Sequence, residues 1–316
     1  MTTVEISRGT THDGPGLRTT VFAKGCPLAC AWCQNPESVS PAQEVWYEAA
    51  KCIGCGECVK ACPRAALEAG PAGIAILRDR CKGCCACAEA CPAKALTPAG
   101  TVWSVGDLVK EVTRDIRYYD EFGGGVTVSG GEPLLHADFV AAFFRELKGL
   151  GVSTALDTCG YAPESALARA LPYTDALLYD IKMMDGAAHA KFTGRGNARI
   201  LDNLLIAADY IRDAARERGR KISLWIRTPL IPGATATAEN IGGIAAFISE
   251  NILDAADRWE LCAFNAACAA KYARMQKAWP YAGVPAMARS DADALREAAL
   301  LRGIPPDKLI VTGILK

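Results

Sequence analysis

GCPLACAWCQNPES, residues 25–38, places three cysteines on one short segment directly after a β-rich run. Cys26, Cys30 and Cys33 follow a C-x3-C-x2-C spacing. Three thiolates on one loop can hold three irons of a four-iron cluster, which leaves the fourth iron open to a small ligand. The alternatives are a zinc site and an electron-transfer cluster that is completed by a distant cysteine. The distant candidates are Cys159, Cys262 and Cys268. The open iron predicts chemistry at the metal.

The composition of the whole chain supports a metal protein. The sequence has 316 residues and 15 cysteines, of which 12 lie between Cys26 and Cys91. A reducing cytosol would keep these thiols free of disulfides. Lys plus Arg and Asp plus Glu number 35 each, so the neutral chain gives no reason to expect nucleic acid or a membrane surface as partner. The N-terminus lacks the apolar core of a signal peptide and no apolar run approaches a membrane span, so we expect a soluble cytoplasmic protein.

An internal repeat follows the first cysteine segment. Residues 52–67, CIGCGECVKACPRAAL, align without gaps on residues 81–96, CKGCCACAEACPAKAL, and nine of the sixteen positions are identical. Each copy reads C-x2-C-x2-C-x3-C-P, the ferredoxin pattern in which the fourth cysteine binds the other cluster. Two zinc knuckles would show two separate C-x2-C pairs instead. The repeat therefore predicts two four-iron clusters with crossed ligands, and Cys85 is left over. The first set is Cys52, Cys55, Cys58 and Cys91, and the second is Cys81, Cys84, Cys87 and Cys62.

Outside the repeat, short β-rich runs alternate with amphipathic helical stretches, which indicates a parallel sheet covered by helices. We expect strands at residues 17–25, 124–131, 152–158, 176–182, 221–231 and 258–264, with a further short run at 308–313. The predicted fold is α/β, a partial (β/α)6 TIM-like barrel of residues 1–44 and 100–316. An inserted α+β ferredoxin-like domain with two clusters occupies residues 45–99. Functional residues belong at the C-terminal ends of the barrel strands.

The C-x3-C-x2-C loop resembles the defining motif of radical S-adenosylmethionine (SAM) enzymes. More of the chain resembles one branch, the activating enzymes of glycyl radical enzymes. HDGPGLRTTVFAKGCPLACAWCQNPES at 12–38 is similar to the N-terminal signature of that branch, and FGGGVTVSGGEPLL at 122–135 to its second-strand signature. LDTCGY, YDIKMMD, HAKFTGRGN and WIRTPLIPG are similar to later motifs. The resemblance implies a partial barrel in which SAM chelates the open iron, and one electron from the cluster cleaves it to a 5'-deoxyadenosyl radical.

The GGEP turn, which includes Gly130, Gly131 and Glu132, follows the second predicted strand. Its glycines would let the backbone approach a ligand closely, and its exposed polar groups would accept the SAM ammonium. Taken alone, the pattern is an ordinary turn between a strand and a helix. The cysteine loop before it favours a role in binding SAM.

Acidic and basic residues end the third and fourth predicted strands. The resemblance implies that Asp157, the Thr158 carbonyl and Asp180 hold a monovalent cation near the SAM carboxylate, and that Lys182 contacts SAM. The alternative is that Asp180 and Lys182 form an ion pair within the barrel.

Three further positions are candidates for binding. Arg227 lies in the apolar run LWIRTPL and needs a carboxylate partner, which the resemblance identifies as the SAM methionyl carboxylate. Asn265 stands near the place where relatives often have a histidine close to the SAM ribose, and asparagine cannot titrate there. Asp13 is either a residue favoured by its Gly-Pro-Gly turn or, by resemblance, one that orients the glycine-bearing peptide of a partner.

These features predict an activating enzyme that abstracts hydrogen from a glycine of a separate glycyl radical enzyme. Its cofactors would be three four-iron clusters, SAM as co-substrate and a monovalent cation. The insert would relay electrons from flavodoxin or ferredoxin, or would dock the partner, and the chain is expected to be a monomer. Two alternatives are a radical SAM enzyme with a small-molecule or other peptide substrate and a plain ferredoxin. A plain ferredoxin would explain eight of the cysteines and would leave the C-x3-C-x2-C loop without a function.

Overall fold

A computed structural model describes residues 1–316 of the chain. Its strands are β1 (Thr2–Thr10), β2 (Arg18–Ala23), β3 (Val45–Tyr47), β4 (Leu67–Gly70), β5 (Gly73–Ile76), β6 (Leu96–Pro98), β7 (Thr101–Val102), β8 (Gly125–Gly130), β9 (Ser153–Thr158), β10 (Ala176–Asp180), β11 (Ser223–Leu230), β12 (Arg258–Ala263) and β13 (Leu309–Thr312). Its α-helices are α1 (Glu57–Ala61), α2 (Ala86–Glu89), α3 (Val105–Val112), α4 (Ile116–Phe122), α5 (Ala137–Gly149), α6 (Glu164–Ala170), α7 (Gly186–Thr193), α8 (Ala198–Arg218), α9 (Ala238–Asn251), α10 (Ala269–Arg274) and α11 (Arg289–Leu300). None of these helices combines the length and apolar character that a bilayer span requires.

Nine strands form one sheet in the order β13-β12-β11-β10-β9-β8-β2-β1-β7. From β2 to β13 the neighbours run parallel, so their C-terminal ends lie along one edge. All seven strands predicted from sequence are present at this sheet, and the α/β barrel prediction is confirmed. The sequence analysis missed β1, an antiparallel neighbour of β2. Most of its residues are half-buried or exposed, so it lacks a continuous apolar face.

Amphipathic helices cover the outer face of the sheet and pack their apolar side chains against it. In α5, Val140, Phe143, Phe144 and Leu147 recur at helical spacing and are fully buried. They belong to a core of 46 buried residues that also contains Val128 and side chains of the other parallel strands. Packing on this face fixes the strand ends, and with them the loops that carry the polar residues.

Between the first two parallel strands lies a small unit with its own packing. It contains two antiparallel strand pairs, β3 with β6 and β4 with β5, together with α1 and α2. Its core has 11 buried residues, including Cys58, Cys87 and Cys91. A core this small is not expected to be stable without metal. The domain boundaries at 44/45 and 99/100 stay a prediction.

Candidate active site

A cavity of about 250 Å³ opens where the parallel strands end. Its wall is formed by the cysteine loop on one side and by the ends of β8, β9, β10, β11 and β12 on the other. The lining residues are Cys26, Leu28, Cys30, Trp32, Cys33, Gln34, Asn35, Ser129, Gly130, Gly131, Asp157, Thr158, Cys159, Asp180, Lys182, Arg227, Pro229 and Cys262. The three loop cysteines and most of the predicted strand-end residues therefore share one cavity.

The loop thiols are free and partly exposed to this cavity. Burial raises the pKa of Cys30 to about 11 and that of Cys33 to about 12. A hydrogen bond from the thiol of Cys159 lowers the pKa of Cys26. Three free thiols that face one cavity are a donor set that fits an iron-sulfur cluster, whose binding would displace the thiol protons. Cys159 and Cys262 also line the cavity, whereas Cys268 lies behind the loop with its thiol 3.7 Å from the Cys33 carbonyl oxygen.

Arg227 is held by two carboxylates of the protein. Its Nη1 lies 3.2 Å from Oδ2 of Asp157, and its Nε lies 3.5 Å from Oε2 of Glu260. Asp157 also accepts a hydrogen bond from the Ser129 hydroxyl at 2.7 Å. The sequence analysis expected Arg227 to pair with the SAM carboxylate. The structure adds two partners from neighbouring strands, Asp157 and Glu260, and the contact with SAM stays a prediction. Even so, burial raises the pKa of Asp157 to about 6, and the nearby Asp180 and Asp13 contribute to the rise.

Asp180 and Lys182 form an ion pair with Nζ 2.5 Å from Oδ2. Burial lowers the pKa of Lys182, but the Asp180 carboxylate more than compensates, so the ammonium stays charged. The barrel ion pair considered as an alternative is thus present, and both of its residues also line the cavity. Asp180 lies directly opposite Arg227 across β10 and β11. Two acidic and two basic side chains therefore face the same space.

Glu132 does not face the cavity, and the expectation that it is an exposed polar group was wrong. Its side chain is fully buried, and its carboxylate accepts hydrogen bonds from the N–H groups of Leu134 and Cys159 and from the Thr158 hydroxyl. Burial raises its pKa, while these hydrogen bonds oppose the rise. The carboxylate ties the end of β8 to the end of β9.

The two glycines before Glu132 are needed for a reason that the sequence analysis did not give. A Cβ on Gly130 would lie 2.4 Å from the backbone nitrogen of Ala23, and one on Gly131 would lie 2.1 Å from the carbonyl oxygen of Gly25. Gly130 also has a φ of +104°. The end of β2 and the start of the cysteine loop thus pack directly on the backbone of the turn, which still lines the cavity.

Asn265 and Asp13 do not line the cavity. The Asn265 side chain accepts a hydrogen bond from the Ala267 N–H at 3.1 Å, and its carbonyl accepts one from the amide of Gln34, a lining residue. Asp13 accepts a hydrogen bond from the Thr20 hydroxyl at 2.8 Å. The Asp13 carbonyl accepts a hydrogen bond from the Thr127 hydroxyl at 2.6 Å, so its loop packs against β8.

The repeat cysteines surround two further cavities. One, of about 20 Å³, is lined by Cys52, Cys55, Cys58 and Cys91. The other, also of about 20 Å³, is lined by Cys62, Cys81, Cys84 and Cys87, and by the remaining Cys85. The cysteines thus group around the cavities in the same two sets that the crossed pattern predicts. Most of the remaining wall residues are apolar, and Arg64 and Lys82 are the charged members of the second wall.

Glu260 and Ser129 are site residues that the sequence analysis missed. Glu260 is buried in the strand run RWELCAF, where an acidic residue among apolar neighbours is a signal that a cation lies nearby. Ser129 is a small residue before the glycines of the GGEP turn, and nothing in its local sequence marks it. Its partner Asp157 is 28 positions away in the chain.

Three protein-family profiles match this chain. The profile of the Radical SAM superfamily matches residues 79–241. A 4Fe-4S dicluster domain matches residues 44–92 and a 4Fe-4S single cluster domain matches residues 12–58. Each cysteine segment thus falls within an iron-sulfur profile.

Curated relatives are similar over most of their length. The chain is 43% identical to the trans-4-hydroxy-L-proline dehydratase activating enzyme of Clostridioides difficile, over 75% of this chain and 76% of that protein. It is 34% identical to the choline trimethylamine-lyase activating enzyme of Oleidesulfovibrio alaskensis, over 94% of this chain and 93% of that protein. Among solved structures, a radical SAM methyltransferase from Sphaerobacter thermophilus has a TM-score of 0.54 at 14% identity. That match covers 97% of this chain and 72% of the other and shows a shared fold.

Proposed function

Because the chain belongs to the radical SAM superfamily and, within it, to the activating enzymes of glycyl radical enzymes, we propose that the cavity at the strand ends is its active site. When a four-iron cluster and SAM are bound, they supply a 5'-deoxyadenosyl radical that abstracts a hydrogen atom from a glycine of the partner enzyme. The observation that carries this assignment is the shared cavity of Cys26, Cys30 and Cys33 with the charged strand ends.

The charges on the cavity wall suit a ligand with separate positive and negative groups. SAM carries an ammonium, a sulfonium and a carboxylate. Lys182 and Arg227 provide positive charge for the carboxylate, and Asp157 and Asp180 provide negative charge for the cationic groups or for a monovalent cation. Gly130 and Gly131 add backbone groups that no side chain covers. Arg227 retains Asp157 and Glu260 as partners, so its guanidinium is already oriented before a ligand arrives.

We further propose that the protein holds three four-iron clusters. The grouping of the repeat cysteines around two cavities supports the crossed assignment. The first site would use Cys52, Cys55, Cys58 and Cys91, and the second Cys81, Cys84, Cys87 and Cys62. Both sites would relay electrons from a flavodoxin or ferredoxin to the cysteine loop, and the enzyme would act as a monomer on its partner.

The partner is a protein rather than a small molecule. Relatives at 34–43% identity are named for the activation of dehydratases, sulfite lyases, a decarboxylase and a trimethylamine-lyase. The chemistry that these names describe belongs to the partner enzyme, which explains why similar activating enzymes serve different reactions. We therefore assign the partner to the class of glycyl radical enzymes and to no single substrate.

SAM cleavage tests this function. The anaerobically reconstituted protein should form 5'-deoxyadenosine from SAM and a chemical reductant, and the variant with alanine at all three loop cysteines should form none. Cys268→Ala is the matched control, because that thiol lies behind the loop and outside the cavity. It should retain cleavage. Cleavage by the triple variant would refute the assignment of the cavity.

A further inference from the structure

The segment that follows β12 packs against the back of the cysteine loop. The Tyr272 hydroxyl, on α10, donates a hydrogen bond to the carbonyl of Cys33 at 2.9 Å. The indole N–H of Trp279 donates to the carbonyl of Ala31 at 3.2 Å. The two aromatic rings stack with centroids 5.1 Å apart. This face of the segment therefore holds the backbone of the loop between its second and third cysteines.

The same segment also binds the insert. The side-chain amide of Gln276 donates to the Ile74 carbonyl at 2.7 Å and accepts from the Ile76 N–H at 2.9 Å. Arg78 of the insert donates to the carbonyl of Met275 at 3.0 Å. Met275 and Gln276, which directly follow α10, thus contact the insert. Tyr272 on α10 contacts the cysteine loop.

Gln276 takes the place of a neighbouring strand. Strand β5 pairs with β4 along one edge, and its other edge carries the N–H and C=O groups that Gln276 binds. An amide side chain offers the same donor and acceptor as a peptide group, so it satisfies an otherwise open strand edge. Gln276 has a φ of +52°, a left-handed conformation that is costly for a residue with a side chain. The two hydrogen bonds compensate for that cost.

The two isoleucines that Gln276 binds belong to different cavities. Ile74 lines the cavity of Cys52, Cys55, Cys58 and Cys91. Ile76 lines the cavity of Cys62, Cys81, Cys84 and Cys87. One side chain therefore touches the walls of both accessory sites. From Gln276, the chain leads back to Tyr272 and its hydrogen bond to the Cys33 carbonyl.

We propose that Gln276 is a positioning residue that fixes both accessory sites relative to the cysteine loop, so that an electron passes from the insert to the loop. This inference rests on the relay in the proposed function. A protein of the flavodoxin or ferredoxin class supplies one electron to the insert. An accessory site is then oxidised by one electron while the loop site is reduced by one, and no bond or proton changes place.

The variant Gln276→Met tests the proposal, because methionine keeps the length of the side chain and removes both hydrogen bonds. Lys277→Ala is the matched control; it removes a neighbouring side chain that lies 3.5 Å from Glu44 on the surface. Both are made in the full chain and reconstituted with iron and sulfide. In Gln276→Met, we expect faster amide exchange in β5 and an unchanged iron content.

Electron transfer is followed by freeze-quench electron paramagnetic resonance after photoreduction of the insert. The Met variant should reduce the loop site several-fold more slowly, because a shifted insert lengthens the path from the accessory sites to the loop. Its SAM cleavage with a small chemical reductant should be unchanged. A purely structural role would change amide exchange and leave the transfer rate at the wild-type value. That result overturns the proposal while the proposed function stands.

A wild-type protein that transfers no electron from the insert to the loop overturns the relay and this inference together, while SAM cleavage with a small reductant would still support the active site.

A second variant tests the proposal if Gln276→Met does not fold or loses its iron. Gln276→Glu keeps the acceptor for the Ile76 N–H and loses the donor to Ile74. Its transfer rate should lie between those of the wild type and the Met variant, and a wild-type rate contradicts the proposal.

Discussion

Glu132 offers a test that separates a structural role from a role in binding SAM. Its Oε1 accepts hydrogen bonds from the Leu134 N–H at 2.9 Å and the Thr158 hydroxyl at 2.6 Å, and its Oε2 accepts one from the Cys159 N–H at 2.8 Å. In Glu132→Gln, Oε1 keeps both donors, but an amide NH2 replaces Oε2 and faces the Cys159 N–H. Losing this charge-assisted hydrogen bond and leaving a buried donor unpaired costs about 3 kcal/mol of folding free energy.

Thermal unfolding of the reconstituted protein measures this loss. For a chain of this size, 1 kcal/mol corresponds to about 2 °C, so the melting temperature should fall by about 6 °C. Glu164→Gln makes the same chemical change at an exposed position of α6 and should melt within about 1 °C of the wild type. SAM affinity of the folded Glu132→Gln protein should be close to normal. A variant with normal melting temperature and lost SAM affinity would refute the structural role.

Three further changes have expected outcomes. Alanine at all three loop cysteines should lower the iron content from about twelve to about eight per chain, as measured by iron analysis, and an unchanged content would exclude a cluster on that loop. Arg227→Ala leaves the buried Asp157 without its cation, while Glu260 keeps Arg258, and should lower the unfolding free energy by about 3–5 kcal/mol; full stability in thermal melting would show that the ion pairs contribute little. Burial lowers the pKa of His189, whose Nδ1 lies 2.6 Å from the Arg195 carbonyl oxygen. Its contribution to stability is therefore present above the unfolded pKa of about 6.5 and is lost as pH falls through the lower folded value. His189→Gln should reduce the loss of melting temperature between about pH 7.5 and pH 5.5, and an identical pH dependence in both proteins would contradict this assignment.

The parallel strands and the cysteine groups were predictable because both signals are local. A strand such as β10 is an apolar run of four residues that ends at Asp180, and the ligand spacing of Cys52, Cys55 and Cys58 lies within one short segment. The repeated pattern also predicted which four cysteines share each accessory cavity. The register that places Asp180 opposite Arg227 follows from parallel pairing of strands already identified.

The errors came from residues whose environment is set by distant parts of the chain. The GGEP turn does not reveal which way Glu132 points; the N–H of Cys159, 27 positions away, holds its carboxylate inward. The role of Gly130 and Gly131 in ligand approach stays a prediction, but the turn sequence did not reveal that the neighbouring strand end also requires both glycines. The contacts of Gln276 span about 200 positions, so no local pattern could have indicated them.

The central claim is that this chain abstracts a hydrogen atom from a glycine of a partner protein. The most direct measurement takes a glycyl radical enzyme as partner, labels it with glycine deuterated at Cα, and incubates it anaerobically with this protein, SAM and a reductant. We predict deuterium in the 5'-deoxyadenosine together with a glycyl radical signal in the partner by electron paramagnetic resonance. Production of unlabelled 5'-deoxyadenosine with no radical in the partner would contradict the claim.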